Sequence, residues 1–524
     1  MRNPLIIGTR GSDLALWQAR HVQSLLAEIG LDSELKIIKT QGDKIQNLSF
    51  DKMEGKGFFT KEIEEALINE ETDIAVHSHK DLPTEQTNGL IIAAVSSRED
   101  PAEILLIRKE CLDQGQKFGL KKNAVAGTSS ARRKAQLLAF RPDLTIKDLR
   151  GNVPTRINKL IAGDYDAILI AAAGIERLQP DLGHLHTERL DPREFVPAPA
   201  QGVLAIQVRQ KDTDLIKHLN KINVKGSAVL TEIERTVLNM FHGGCQMPVG
   251  AYAEFDDEKE MYCLRLSKAE AWDKMPVSVY VESRDPMTLP VRAVEKVRHI
   301  KPCSVFISRN LNDTSYLKNV LEGNGFHLES RALIEMKEVP IKDLPDAKWI
   351  FFSSKHAVKF FFSQNPDVSN AKFACIGKST AESLRKHGVR AEFIGNSADT
   401  RMTGKKFAAI AGRDKVLFPQ AKDSLKTVQQ QLVQKDQAVD LVVYETLKKN
   451  SDVQPDADIL VFTSPSNADA WFENYKLKEG QQCIAMGDAT AKALNSHGVR
   501  MISKTDSFDE AGLARAVFNA SARV

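Results

Sequence analysis

Three glycine-containing turns in the first half of the chain combine arginine with hydroxyl side chains. They are Gly8-Thr9-Arg10-Gly11-Ser12, Gly127-Thr128-Ser129-Ser130-Ala131-Arg132-Arg133 and Leu149-Arg150-Gly151-Asn152-Val153-Pro154-Thr155-Arg156. Each reads as a strand-to-helix turn, because Ser/Thr caps and an early proline mark helix starts. A helix start already carries partial positive charge, so a cation there is disfavoured by about 0.3–1 kcal/mol. Arg132 and Arg133 occupy a first turn regardless. That placement makes sense if an anion sits between them. One such loop alone reads as solvated surface; three together predict anion binding. Guanidinium forks select carboxylate or phosphate. With neither GxxxxGK(S/T) nor GxGxxG in the chain, nucleotide phosphate is the weaker choice.

Two further side chains stand out beside these loops. Asp73-Ile74-Ala75-Val76-His77-Ser78-His79-Lys80-Asp81-Leu82-Pro83 reads as a buried strand that ends abruptly in charge. Pro83 stops the ladder, which predicts Asp81 at a strand end. A fixed carboxylate among arginines stays ionised, and it can steady a developing carbocation and move protons. His77 and His79 offer a rival reading, since alternate strand residues share a face and HxH can hold zinc. No carboxylate–histidine cluster follows at a convincing spacing, and the expectation is no metal. The second side chain is Cys245, within Gly243-Gly244-Cys245-Gln246-Met247-Pro248. Taken alone it is a small residue in a turn. Flanking glycines let a bulky group approach the sulfur, and next to arginine loops and a lone carboxylate this suits a thiol that carries something covalently.

The elements that must position these residues follow from the rest of the chain. Its 524 residues predict about three to five domains at ~150 residues each. A formal net charge of +3 argues against a nucleic-acid or membrane-surface footprint, so anion binding must be local. The six cysteines (Cys111, Cys245, Cys263, Cys303, Cys375 and Cys483) form no CxxC pair, which fits reduced thiols in a cytosol. The opening Met-Arg-Asn-Pro-Leu-Ile-Ile-Gly is too short an apolar run for a signal peptide. The expected location is cytoplasmic.

Short apolar runs predict strands at 5–7, 33–38, 74–77, 91–95, 104–107, 124–126, 168–171 and 203–208. Helical patterns lie at 13–29, 60–69, 130–140 and 154–162. This alternation is α/β, whose ligands sit at the carboxyl ends of strands. Residues 222–298 differ. A helical stretch at 228–241 precedes the Cys245 loop, and apolar–polar alternation at 261–267 and 277–282 predicts a small antiparallel sheet with helices. Lys301-Pro302 opens a second α/β series with an internal repeat. Residues 373–390 (FACIGKSTAESLRKHGVR) match 483–500 (CIAMGDATAKALNSHGVR) at a constant offset of 110 positions, with Gly377 opposite Gly487 and Thr380 opposite Thr490. Two similar α/β lobes with a cleft between them follow.

The segments GTRGSDLALWQA, GKGFFTKEIEEAL, DIAVHSHKDLP, GTSSARRKAQL, LRGNVPTRINKL, YDAILIAAAGIERL, PAQGVLAI and GGCQMPVGAYA resemble porphobilinogen deaminase (hydroxymethylbilane synthase) in order over roughly 1–300. The resemblance implies two periplasmic-binding-protein-like lobes, 1–99 with 197–216 and 100–196. It also implies a small α+β third domain, 217–299, that bears the cysteine. Cys245 would carry a dipyrromethane cofactor through a thioether, and Asp81 matches the catalytic aspartate. Arg10, Ser12, Lys80, Thr128, Ser129, Ser130, Arg132, Arg133, Arg150 and Arg156 match residues that grip the acetate and propionate arms of the pyrroles. Arg177 matches a further substrate arginine, and Lys52, Lys56 and Phe59 match a mobile flap. The implied activity is head-to-tail condensation of porphobilinogen with loss of ammonia, giving hydroxymethylbilane. Departures are Gln41, where a basic residue is common, and His79, in a slot often apolar.

Residues from about 302 resemble uroporphyrinogen-III synthase, through FFSSKHAV, FACIGKSTAESLRKHGV, VLFPQAKDSL, VVYETL, ILVFTSPSNADAW and IAMGDATAKAL. The resemblance implies two flavodoxin-like lobes, 302–336 with 451–521 and 340–443, joined by a two-stranded linker. Tyr444 matches the favoured catalytic tyrosine. Thr380, Ser464 and Thr490 precede or open helices, where they could bind substrate carboxylates or simply cap. The implied reaction is ring-inverting closure of hydroxymethylbilane, with loss of water, to uroporphyrinogen III. The expected partners are small pyrrole substrates, with no nucleic acid and no membrane, in a monomer. Two alternatives stay open: a deaminase with a merely structural second half, and a two-lobed binder of small carboxylates.

Overall fold

The computed structural model describes residues 4–40, 60–242, 247–368, 370–395, 399–449 and 453–522. The chain divides into two units, residues 1–301 with 521–524 and residues 302–520. It is a mixed α/β multidomain protein, with five sheets among the described residues.

The first unit contains two five-stranded sheets of the same design. In one, Leu5–Thr9 runs parallel between Ser33–Ile37 and Ile74–Ser78. Leu204–Arg209 then lies antiparallel between Ile74–Ser78 and Leu90–Val95. In the other, Val125–Gly127 runs parallel between Thr145–Lys147 and Ala167–Ala171. Glu103–Arg108 then lies antiparallel between Ala167–Ala171 and Leu185–Leu190. The chain therefore crosses between the sheets twice, once near 96–102 and once near 191–203. Period decides which faces are covered. Helix Asp13–Glu28 buries Ala19, Val22 and Leu26 against Leu5, Ile74 and Ile206, and Ile157 and Leu160 of helix Val153–Ile161 pack on Leu106 and Ile168. Each such side chain contributes about 1.5–3 kcal/mol by leaving water.

Both crossovers are tied to a third element, helix Lys225–Met240. Its Glu234 is fully buried. Both carboxylate oxygens accept from the Arg98 guanidinium, at 2.7 and 3.2 Å, and they also accept the backbone N–H of Ala200 and of Ala253. Ala253 belongs to the meander Val249–Asp256, Met261–Lys268, Val277–Ser283. Gly202, in the second crossover, has φ +91°, and a Cβ there would meet Glu99 O at 2.5 Å. Only glycine fits so close an approach with that backbone.

The second unit also holds two sheets. One has the order His327–Ser330, Ser304–Ile307, Ile459–Phe462, Gln482–Ala485, Ile502–Lys504, all parallel. The other runs Ile334–Glu338, Ala438–Lys448, Val416–Ala421, Trp349–Phe352, Lys372–Cys375, Phe393–Ile394. Within it, Ile334–Glu338 pairs antiparallel with Tyr444–Lys448. The sequence repeat recurs as packing. Phe362 stacks on His387 at 5.0 Å, and their counterparts Phe472 and His497 stack at 4.8 Å.

In the first unit strands fall where the apolar runs place them, with three omissions, Thr145–Lys147, Leu185–Leu190 and Val249–Asp256, and one shift. Thr145–Lys147 is a three-residue edge, and Leu185–Leu190 alternates as an edge does; neither stands out from loop by composition. The strand carrying the histidines ends at Ser78, and His79–Asp81 form a single 3-10 turn. Asp81 is therefore a turn residue rather than the last residue of a strand.

Candidate active sites

Where the two sheets of the first unit meet, the turn residues Lys80 and Asp81 share an electrostatic neighbourhood with the second sheet. Lys80 feels Asp81, Arg133, Glu103 and Arg132, while Arg156 feels Arg133, Arg150 and Asp81. Each side chain is held by a local device. Ser12, Ser130 and Asn152 cap their helices by accepting from the N–H of Ala15, Arg133 and Thr155. Thr128 Oγ1 accepts from Ser130 N. Ser129 Oγ both donates to Leu149 O and accepts from Leu149 N, at 3.0 Å each, and so ties the second loop to the third. Gly151 has φ +117°, and its carbonyl accepts from Arg156 Nε at 2.7 Å.

The paired arginines do have an anion between them, but it comes from the protein. Glu103 is fully buried, with one carboxylate oxygen 2.6 Å from Arg132 Nη2 and the other 2.6 Å from Arg133 Nη2. Burial pushes the Glu103 carboxyl up, but Arg133 and Arg132 outweigh it and hold it down at about 2. Arg132 also donates to Val196 O and Arg133 to Leu169 O. An internal glutamate thus lies between the two guanidinium groups, a pairing that sequence spacing could not show.

Arg156 and Lys80 keep donors in hand among the described residues. Arg156 makes one hydrogen bond, to Gly151 O, and no ion pair among the described residues; burial, Arg133 and Arg150 all pull its pKa down, to about 10. Lys80 donates from Nζ to neutral Gln201 at 3.0 Å, and burial brings its ammonium down to about 8 against the pull of Asp81. Arg177 is buried, donates to Gly202 O and lies over the Trp17 ring. Arg10 is half-buried beside His77, and Arg150 is half-buried in the third loop. The Asp81 carboxylate is exposed and makes no hydrogen bond among the described residues. Cys245, Lys52, Lys56 and Phe59 lie outside the described residues.

Burial holds the rings of His77 and His79 neutral, at about 4 and about 3. His79 sits in the turn, where period-two facing no longer applies, and no group of three or more potential ligands occurs among the described residues.

Lys80 gives this cluster a pH signature. Its cationic form exists below about 8 and is lost as pH rises. Binding of a carboxylate ligand to the free protein should weaken above that point, by up to about tenfold per pH unit. We expect log(kcat/KM) to fall above pH 8 and Lys80→Arg to move that fall upward. A profile unchanged in the arginine variant would remove Lys80 from ligand binding.

In the second unit, Tyr444 is buried, stacks on Phe360 at 5.3 Å, and has its hydroxyl 3.4 Å from Ser354 Oγ. Burial raises its pKa, so it remains a phenol. Around it lie His356, kept neutral at about 4 by burial and by Lys355, and the cations Lys355 and Arg309, the latter bonded to Glu510 at 2.8 Å. The repeated helix starts are capped alike, by Ser354 and Ser464. Thr380 and Thr490 are 4% and 1% exposed, and the Thr490 hydroxyl donates to Met486 O.

Residues 5–217 match the family model described as porphobilinogen deaminase, dipyromethane cofactor binding domain, and residues 228–297 match porphobilinogen deaminase, C-terminal domain. The porphobilinogen deaminase of Syntrophomonas wolfei is 48% identical over 256 residues, covering 48% of this chain and 81% of that protein. The chain belongs to the porphobilinogen deaminase family. The deaminase of Sulfurimonas denitrificans is 46% identical over 257 residues, covering 48% of this chain and 80% of that one. Beyond the deaminase region, residues 315–514 match the model described as Uroporphyrinogen-III synthase HemD. The crystal structure of uroporphyrinogen-III synthetase from Helicobacter pylori aligns over 41% of this chain and 98% of that one, with TM-score 0.32 and 20% identity. The chain thus joins a porphobilinogen deaminase, with its dipyrromethane-binding domain, to a uroporphyrinogen-III synthase domain. Among the described residues no helix is long and apolar enough to cross a membrane.

Sequence reasoning missed Glu103, Gln201, Arg235, Arg309, Lys355 and His356. Only Glu103 carried a signal: a single acid opening the apolar strand Ile104–Ile107, where burial demands a cationic partner.

Proposed function

We infer that this is a bifunctional enzyme of tetrapyrrole biosynthesis, on the path to heme. It condenses porphobilinogen units to hydroxymethylbilane and then closes that product to uroporphyrinogen III. The observation that carries the first step is the cluster at Lys80 and Asp81: cations in excess, with Arg156 and Lys80 each making a single hydrogen bond among the described residues, around one exposed carboxylate. Each pyrrole brings two carboxylates, and Arg156, Lys80, Arg10, Arg150, Ser12 and the loop around Thr128–Ser130 supply the donors for them. Arg132 and Arg133 keep further N–H groups beyond those spent on Glu103 and backbone, and they serve as a braced edge of the same surface. Arg177, on helix Ala172–Leu178 and bonded to Gly202 O of the second crossover, closes it. We assign the lobes as 1–99 with 197–216, 100–196 and 217–299, in a periplasmic-binding-protein-like arrangement with a cofactor-bearing third domain. The later pair, 302–336 with 451–521 and 340–443, is assigned as flavodoxin-like with a two-stranded linker.

The cationic surface suits a dipyrromethane, whose acid arms match the unused donors, with Cys245 as its thioether anchor and Lys52, Lys56 and Phe59 in a covering flap. When bound, that group supplies a pyrrole α-carbon nucleophile and stays with the enzyme. Asp81 stabilises the cation left when porphobilinogen loses ammonia, and it accepts the proton released as the new carbon–carbon bond restores aromaticity.

In the second unit Tyr444 is the acid. A phenol held neutral by burial can give its proton to the departing hydroxyl of hydroxymethylbilane, which leaves as water. Lys355, Arg309 and Ser464, with the backbone N–H groups of the helix starts, are placed to receive the carboxylates. One experiment tests the whole reading: feed porphobilinogen to the intact chain and score product isomers. The parent should give the type III isomer. Tyr444→Phe should release hydroxymethylbilane at the parent rate while synthase turnover falls by about 10²-fold, so that spontaneous, uninverted type I product accumulates. Type III product in undiminished yield would exclude Tyr444 as the acid, and type I product from the parent would exclude a working second half.

A further inference from the structure

The turn His79–Asp81 has little internal bonding to define it. Its one closing bond, Leu82 N to His79 O, is long at 3.4 Å. Its shape is imposed from outside by Arg235, a half-buried residue of helix Lys225–Met240. Arg235 Nη1 donates to His79 O at 3.0 Å and to Leu82 O at 3.1 Å, and Nη2 donates to Pro83 O at 2.5 Å. These three carbonyls bracket Asp81 on both sides. A planar fork with donors on two nitrogens can hold three carbonyls in one fixed relation; an ammonium, a point donor on a flexible stem, cannot.

The base from which Arg235 reaches is itself fixed. Its neighbour Glu234 points about 100° away around the helix and takes the Arg98 guanidinium and the N–H groups of Ala200 and Ala253. Both crossovers and the meander therefore lock the helix, and the helix locks the turn. We propose that Arg235 is a positioning residue for the ammonia-releasing step, holding the His79–Pro83 turn so that the Asp81 carboxylate meets the reacting pyrrole in productive geometry. The proposal rests on the reading of Asp81 as the reacting carboxylate. Arg235 touches neither substrate nor cofactor in this account. Its effect passes entirely through the backbone that carries Asp81, and a displacement of about 1 Å at such a group can cost about 10²-fold in rate.

The test uses the full chain with its covalent cofactor, checked by intact mass, in Arg235→Met, Arg235→Lys, Asp81→Asn and the double variant Asp81→Asn/Arg235→Met. Arg235→Met should lower kcat by about 10²-fold with KM within about twofold of the parent and the adduct retained. Arg235→Lys, able to remake one carbonyl bond, should fall by only about tenfold. The double variant should be no slower than Asp81→Asn, because a mispositioned group that is already absent has nothing further to lose. The proposal is overturned by a parent-like kcat in Arg235→Met, by a loss expressed in KM, by a missing adduct, or by losses that multiply in the double variant. If Arg235→Met does not fold, Arg235→Lys decides on the same kcat-against-KM split. Asp81→Asn with near-parent turnover would sink the underlying reading of Asp81. An inactive Asp81→Asn beside a fully active Arg235→Met would sink the positioning role alone.

Discussion

Asp81→Asn should keep its fold and its grip on porphobilinogen and lose nearly all turnover. The carboxylate is exposed and unbonded among the described residues, so an isosteric amide breaks no contact that holds the turn. Stability should move by no more than about 0.5 kcal/mol. Binding should be unchanged or slightly tighter, because the substrate's own carboxylates no longer face a like charge. The rate loss has two sources. A cation forming about 4 Å from a carboxylate is stabilised by roughly 1 kcal/mol in bulk water and about 4 kcal/mol near a protein surface, and a positioned proton acceptor adds about 10²- to 10⁴-fold. Together they predict a fall in kcat of about 10³-fold or more with KM flat or reduced. Single-turnover release of ammonia, with a melting curve as control, measures both. Near-parent kcat would remove Asp81 from the chemistry, and a raised KM with parent kcat would make it a binding group instead.

The same residue marks how far sequence reading reached. Apolar runs place the strands because strand burial is a local property: Ile74–Ser78 is a run of buried side chains that any folding environment must cover. The arginine turns were legible as helix starts because cap chemistry is local too: Ser12, Ser130 and Asn152 each cap one. What could not be read was which anion answers which cation. Glu103 lies about thirty positions before Arg132 and Arg133 in the chain, and only the antiparallel placement of its strand beside Ala167–Ala171 brings it under them. Arg235, more than 150 positions from His79, was invisible for the same reason. In the second half, the offset repeat was legible and recurs in the structure as matching Phe–His stacks. The threonines at 380 and 490 share their burial as well.

Glu103→Gln should be among the most destabilising single changes in the first unit. Removing one member of a buried ion pair leaves the others uncompensated and costs about 3–5 kcal/mol; here two guanidinium groups would be left facing each other with one neutral amide between them. For a lobe of about 100 residues each kcal/mol moves Tm by about 4–8 °C, so a drop of about 12–40 °C follows. The pH dependence has a definite sign. The folded carboxyl is depressed from 4.5 to about 2, so its contribution is fully present above about pH 4.5 and is lost as pH falls towards 2. The gap between parent and variant should therefore be constant from pH 5 upward and should narrow in acid. A second readout separates charge from packing. Stranded arginines will take anions from solution, so acetate or sulfate should raise the Tm of Glu103→Gln more than that of the parent, through ordinary ligand linkage. A variant that melts with the parent, or that ignores added anions, would mean that the arginine pair is balanced by something other than Glu103.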